Sequence, residues 1–178
     1  MRVLGIDPGL AAVGYGLVEK NGGIFGGIDY GYISTPANMD LSQRLHTIFQ
    51  NVKMLISRFS PDVLAMEKLF FCKNIRTAMQ VGEARGAIFT AAAEKELPVF
   101  EYTPLQVKQA VAGYGRAGKK QVQQMVCLLL KLPGPPRPDD AADALAVALC
   151  HLQSSRWQQL VEKERSTDIH DLTGRNST

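Results

Sequence analysis

Acidic residues stand in this sequence at places where the surrounding pattern is apolar. Asp7 ends the run Val3–Asp7, and Glu67 ends a second short run, Val63–Glu67. Further on, Asp139-Asp140-Ala141-Ala142-Asp143 opens a segment of helical character. Residues three or four apart share a helix face, so Asp143 can act with Asp140 or with Asp139, and spacing does not choose. Carboxylates gathered in one cleft repel unless cations stand between them. Oxygen donors without His or Cys select a hard ion, Mg²⁺ or Mn²⁺. The chemistry that suits such a cluster is phosphodiester hydrolysis by two ions about 4 Å apart, stabilising the attacking and leaving oxygens. Each acid also has an ordinary alternative. Asp7 before Pro8-Gly9 can start a turn, Asp139 or Asp140 can cap a helix, and Glu67 beside Lys68 can end a strand in solvent. The small residues Gly5, Ala65, Ala141 and Ala142 favour the shared cleft, because they let charged groups crowd together. His46, His151 and His170 are scattered and read as structural or solvated.

The elements that must position these acids follow from the apolar pattern. Val3–Asp7, Val13–Val18 and Ile24–Ile33 read as three strands, with Asn21-Gly22-Gly23 as a hairpin signal. Asp40 opens a helix with Gln43 as its capping-box partner. Leu41, Leu45, Ile48, Val52, Leu55 and Phe59 give that helix one apolar face, and Ser60-Pro61-Asp62 stops it. Val63–Glu67 is a fourth strand, and a strand–crossover–strand order sets it parallel to Val3–Asp7. In open α/β sheets the carboxyl ends of strands form the site crevice, so Asp7 and Glu67 are expected in one cleft. Ile75 to Glu96 is a second long helix. Gly82, Gly86 and Ala78 mark one side of it as a close-packing surface, either against the chain's own sheet or against a second copy. Val99–Tyr102 is a fifth strand, and Leu105–Ala112, Lys119–Lys131 and Asp139–Leu152 are helices. The segment 133–138, four of whose six residues are proline, is a stiff loop. The expected fold is α/β, a mixed five-stranded sheet flanked by helices, with an antiparallel meander and parallel remaining strands. One domain over residues 1–152 is followed by an extension, 153–178, partly helical and then unstructured.

Composition narrows the function classes. The chain has 178 residues, 46% of them hydrophobic and 21% charged, an ordinary globular balance that argues against collagen-like, disordered and membrane classes. No apolar run approaches the ~18 residues of a membrane helix. Asp7-Pro8-Gly9 interrupts the first apolar stretch too early for a signal peptide. Cys72, Cys127 and Cys150 are odd in number and widely spaced, which suggests neither a disulfide framework nor a zinc site, and a reducing cytoplasm is expected. The net charge is +3, yet Lys108, Arg116, Lys119, Lys120, Lys131 and Arg137 fall in a stretch, 102–138, that contains no acid. That is the footprint of a polyanion-binding face, or else a solvated helix surface.

Gly5-Ile6-Asp7-Pro8-Gly9 with Gly14-Tyr15-Gly16, Met66-Glu67, Ala84-Arg85-Gly86, Gln106-Val107-Lys108-Gln109 and Asp140-Ala141-Ala142-Asp143-Ala144-Leu145-Ala146 resemble, in this order, the RuvC family of bacterial Holliday-junction endonucleases. The likeness runs from Arg2 to about His151. It implies a ribonuclease-H-like fold, a homodimer, and Mg²⁺-dependent symmetric cutting of four-way DNA junctions in recombination and repair, leaving 5′-phosphate and 3′-hydroxyl ends. Two Mg²⁺ per site, with Mn²⁺ as a substitute, are implied. The family's four catalytic and metal-holding acids fall on Asp7, Glu67, Asp140 and Asp143, which selects Asp140 over Asp139. Its two basic active-site positions fall on Lys108 and Lys119, and its branch-migration partners are RuvA and RuvB. The loop after Glu67 supplies Phe70, at the family position that stacks at the junction point, while Phe71 packs beneath. Lys73 and Arg76 are expected to hold the DNA backbone, together with Arg116 and Lys120. A kinase-like ATPase is the rival enzyme reading of Ile6-Asp7-Pro8-Gly9, but that architecture needs two domains. A junction-binding scaffold without nuclease activity is the rival from another class, and the full acid set argues against it.

Overall fold

The alternation of large apolar residues in Val3-Leu4-Gly5-Ile6 gives a strand both of whose faces are covered, because Val3, Leu4 and Ile6 are all fully buried. The computed structural model describes residues 1–69 and 75–154. Among them run β1 (Arg2–Asp7), β2 (Ala12–Asn21), β3 (Ile24–Ser34), α1 (Leu41–Phe59), β4 (Val63–Glu67), α2 (Ile75–Glu94), β5 (Val99–Tyr102), α3 (Pro104–Ala112) and α4 (Lys119–Leu130). A last helix, α5, occupies 139–154. The strands form one sheet in the order β3-β2-β1-β4-β5. β1 pairs antiparallel with β2 and parallel with β4, β2 is antiparallel to β3, and β4 is parallel to β5. This is the expected mixed sheet.

The sheet divides two cores by the period of two. Leu4, Ile6, Val13, Leu17, Leu64 and Met66 face α1 and α2. Val3, Val18, Val63, Ala65 and Tyr102 face α3, α4 and α5. The β2–β3 turn needs both of its glycines, since Gly22 and Gly23 have φ of +56° and +91°, a region side chains avoid.

Two local expectations change, the cap of α1 and the end of α2, and the side of α2 left open is decided. Asp40 stands at the N-cap of α1 but makes no side-chain capping bond, so the capping box with Gln43 is absent. At the other end Ser60, in the left-handed region at φ +45°, closes the helix by donating its N–H to the Ile56 carbonyl at 2.9 Å. Among the described residues a Cβ at Gly82 or Gly86 would meet nothing within 4 Å, so these two do not pack on the chain's own sheet, whereas Ala78, expected on their side, is buried. The inward face of α2 is instead Ala78, Ala84, Arg85, Ile88, Ala91 and Ala92. α2 also stops at Glu94, and Glu96 follows in the left-handed region at φ +52°.

The closest approach in the fold lies between α5 and the glycines of β1 and β2. A Cβ on Gly5 would fall 2.0 Å from the Ala144 carbonyl oxygen, and one on Gly14 would fall 2.1 Å from that of Asp140. Backbone cannot yield there as a side-chain tip can. Gly5→Ala is therefore expected to destabilise the protein by about 3 kcal/mol or more in urea unfolding. Gly26→Ala, where a Cβ meets nothing within 4 Å, is expected to stay within about 0.5 kcal/mol of the parent.

Candidate active site

Strand register assembles the acids before any helix is considered. Val3, Gly5 and Asp7 alternate onto the α5 side of β1, and Val63, Ala65 and Glu67 onto the same side of β4. The parallel pairing sets Gly5 opposite Ala65 and Ile6 opposite Met66, so Asp7 and Glu67 end adjacent strands together. Across the sheet Asp7 faces Gly14, and Glu67 faces Tyr102. Pro8-Gly9 then turns the chain away and leaves Asp7 at the rim, half-buried.

α5 completes the cluster because it lies directly on the glycines. The Asp140 carbonyl and Cβ sit over Gly14, and the Ala144 carbonyl sits over Gly5. One turn on from Asp139, Asp143 faces the cleft beside Glu67, Lys108 and Lys119, in a cavity of about 270 Å³. A second cavity of similar volume opens on the other side of Glu67, with Asp7, Pro8, Val81 and Arg85 in its wall. Carboxylates at the start of α5 also meet the positive end of the helix dipole, which offsets part of their mutual repulsion.

The electrostatics are those of gathered like charges. The Asp7 carboxyl is pushed up to about 7 by burial, then by the charges of Asp143, Glu67 and Asp140, with Lys119 pulling the other way. Glu67 is raised by burial and by Asp143, against the attraction of Lys108. Asp143 is raised as well, because burial outweighs its bond with Lys119 and Asp139 and Asp140 add like charge. The four acids share a field without closing a coordination shell: among the described residues no three His, Cys, Asp or Glu are grouped as a metal ion requires.

Lysines stand among the acids. The Lys119 ammonium lies 3.0 Å from Asp143 and 3.2 Å from Asp139. Burial lowers the Lys119 pKa, but the bonds and charges of these two aspartates outweigh it and hold the ammonium above its ordinary value. Lys119 is the first residue of α4. A cation there opposes the helix dipole, so helix stability does not explain it. Lys108 rides on α3, whose start is fixed by a capping box: Thr103 Oγ1 accepts from the Gln106 N–H and Gln106 Oε1 accepts from the Thr103 N–H.

Of the other expected DNA contacts, Arg116 and Lys120 are exposed around the start of α4, and Arg76 is exposed in the first turn of α2. Phe70 and Lys73 lie outside the described residues. Asp139, left open by spacing, turns to Lys119 and Gln123, which hold its carboxyl below the ordinary range. Asp140 is the one of the two whose charge reaches Asp7. The sequence pattern gave no role to Arg85. It is buried and donates to the Glu67 carbonyl and to the Glu101 carboxylate. An arginine on the inward face of an otherwise apolar helix was the available signal.

Comparison with known proteins agrees with this architecture. The family model described as "Crossover junction endodeoxyribonuclease RuvC" matches residues 3–151. The protein of that name from Moorella thermoacetica is 57% identical over 164 residues, 92% of this chain and 98% of its own. The structure of T. thermophilus RuvC in complex with a Holliday junction substrate superposes with a TM-score of 0.86 at 39% identity, covering 89% of this chain and 96% of that one. The yeast mitochondrial Holliday junction resolvase Ydc2, at 17% identity and TM-score 0.63, shares the fold. The sheet, its flanking helices and the near full-length match together make this chain a member of the RuvC family of crossover junction endodeoxyribonucleases, with the ribonuclease-H-like fold.

Proposed function

We propose that this chain resolves four-way DNA junctions by hydrolysing one phosphodiester in each of two opposed strands, leaving 5′-phosphate and 3′-hydroxyl ends. The observation that carries the proposal is the Asp7 carboxyl, half-buried within the fields of Glu67, Asp140 and Asp143. Four acids within one another's field, with no thiolate or imidazole among them, suit a hard divalent ion. Asp7, Glu67, Asp140 and Asp143 would hold two Mg²⁺, or Mn²⁺ in their place. Such ions, when bound, stabilise charge on the attacking and leaving oxygens of the displacement.

The chain's own groups do the rest. Lys119 and Lys108 face the cleft and would neutralise the scissile phosphate, with Lys119 exchanging its aspartate partners for phosphate oxygen as DNA arrives. Arg116, Lys120 and Arg76 would grip neighbouring phosphates, and Phe70 with Lys73 would engage the junction point. Two symmetric cuts call for a homodimer. We place its contact on the open side of α2, where Ile75, Met79 and Phe89 are 75%, 63% and 37% exposed and alternate with Gly82 and Gly86. Spacings of four, three, four and three residues form a coiled-coil-like seam, with glycines admitting a close partner helix. Action in the cytoplasm, beside RuvA and RuvB, follows from the same family role. The free thiols of Cys127 and Cys150 suit a reducing compartment.

Three outcomes test this. Asp7→Asn is expected to bind a synthetic four-way junction as the parent does, while paired nicking in Mg²⁺ falls by more than about a hundredfold. Cleavage at the parental rate would remove the assignment of Asp7. Without divalent ions, the folded Asp7 carboxyl at about 7 keeps a proton that the unfolded one, at 3.8, has lost. The folded state therefore binds more protons across that window, and stability falls as pH rises through it. Urea unfolding in EDTA should show a loss of roughly 1–3 kcal/mol from about pH 5 to about pH 8, flattened in Asp7→Asn and reversed by Mg²⁺ mainly at the higher pH. Finally, Gly86→Glu places a charge on the α2 seam, at a position where an added Cβ meets nothing within 4 Å among the described residues. Sedimentation should then show a monomer that still folds, and junction nicks should lose their pairing.

A further inference from the structure

Arg85 sits on the inward face of α2 and is only 8% exposed. Burying a guanidinium costs several kcal/mol unless it is paired, and apolar side chains in place of a buried ion pair often hold a fold as well or better. Stability alone is therefore a poor reason for this residue. Its contacts suggest another. One guanidinium nitrogen, Nη1, donates to the Glu67 carbonyl at the end of β4, and the other, Nη2, donates to the Glu101 carboxylate on β5. Its plane lies near the Phe89 ring, 5.5 Å from the centroid, which limits its freedom to turn.

The peptide that follows Glu67 is thus fixed from two directions. Its carbonyl takes the Arg85 bond, and its N–H, that of Lys68, donates to the Tyr102 carbonyl at 2.8 Å. β4 ends there, so no further ladder holds the strand tip in place. The Glu67 side chain leaves toward the α5 side, opposite to α2. We infer that Arg85 is a positioning residue: by clamping the Glu67 carbonyl, with Glu101 as its anchor, it aims the Glu67 carboxylate at the ion-holding cleft beside Asp7. This rests on the assignment of Glu67 to that set.

The test separates positioning from mere bracing. Arg85→Lys keeps the charge and the aliphatic stem but loses the two-pronged donor. Mn²⁺ binding to the full chain without DNA, followed by electron paramagnetic resonance, should weaken by about tenfold or more. The Mg²⁺ concentration giving half-maximal junction cleavage should rise by the same factor. Junction affinity in EDTA and the cooperative melt should remain those of the parent. Glu101→Gln, which frees the anchor and leaves Arg85 in place, should shift Mn²⁺ binding in the same direction by less, and it decides the matter if Arg85→Lys does not fold. A folded variant of either kind with parental Mn²⁺ affinity would overturn the inference. Absence of Mn²⁺ binding in the parent, with Asp7→Asn indistinguishable from it, would instead overturn the ion-holding assignment of Glu67 itself and this inference with it.

Discussion

A helix backbone lying on strand backbone, with only hydrogen atoms between them, is the constraint on which the rest of this molecule depends. α5 meets the sheet at Gly5, Gly14 and Gly16, and at each the space for a Cβ is already filled by α5 or, at Gly16, by Leu145 of α5. The side of α5 turned inward is as small as the surface it meets, with Ala141, Ala144 and Ala148 fully buried. Alanine costs a helix nothing in propensity, so the close approach does not weaken the element that makes it. Its consequence is geometric. Asp7, just beyond Gly5 and Ile6, and the acids Asp140 and Asp143 near the start of the helix above come within each other's field without long side chains having to reach.

That proximity is bought against Coulomb repulsion, and the fold offsets the repulsion in several separate ways. The first turn of α5 offers its positive dipole end to Asp140, with Asp143 just beyond it. Lys119 is placed at the start of α4, where its own helix disfavours it, and two aspartates answer its charge. Burial raises Asp7, Glu67 and Asp143 together, which holds protons on the cluster and so relieves part of the repulsion. Asp139 is exempt: it is exposed, its carboxyl stays low, and it serves the lysine rather than the cleft.

Most of the sheet was legible because its signals are local. Val63–Glu67 and Val99–Tyr102 are bounded as their apolar runs predict, and the crossover through α1 fixes β4 parallel to β1, which brings Asp7 and Glu67 together. What spacing could not settle was rotation of α5 about its axis. Asp139 and Asp140 are equivalent until a helix is laid on a particular surface, and Gly14 is the surface that decides. The side of α2 bearing Gly82 and Gly86 had two readings for the same reason, since smallness marks a close contact without naming the partner. Only three-dimensional packing shows that the chain's own sheet takes the opposite side. The Gln43 capping box failed for a different cause: Asp40 has the right type and offset, but capping also needs its side chain to turn back over the helix end, and it does not.

α2 carries two unlike faces, and their separation is an economy of the fold. One side, Ala78, Ala84, Ile88, Ala91 and Ala92, binds the helix to the sheet through small residues that tolerate little displacement. Arg85 belongs to that side and donates directly to the Glu67 carbonyl. The other side is open, apolar and glycine-bearing. A partner seated on the open side would bear on a rigid rod whose buried side holds the tip of β4 through a directional hydrogen bond. Packed apolar contacts alone would transmit little of a small tilt to the Glu67 peptide, because dispersion is weakly directional. A guanidinium bonded at both prongs transmits direction as well as distance. If Arg85 positions Glu67 as inferred, the aim of that carboxylate would follow the placement of α2, to which Arg85 belongs.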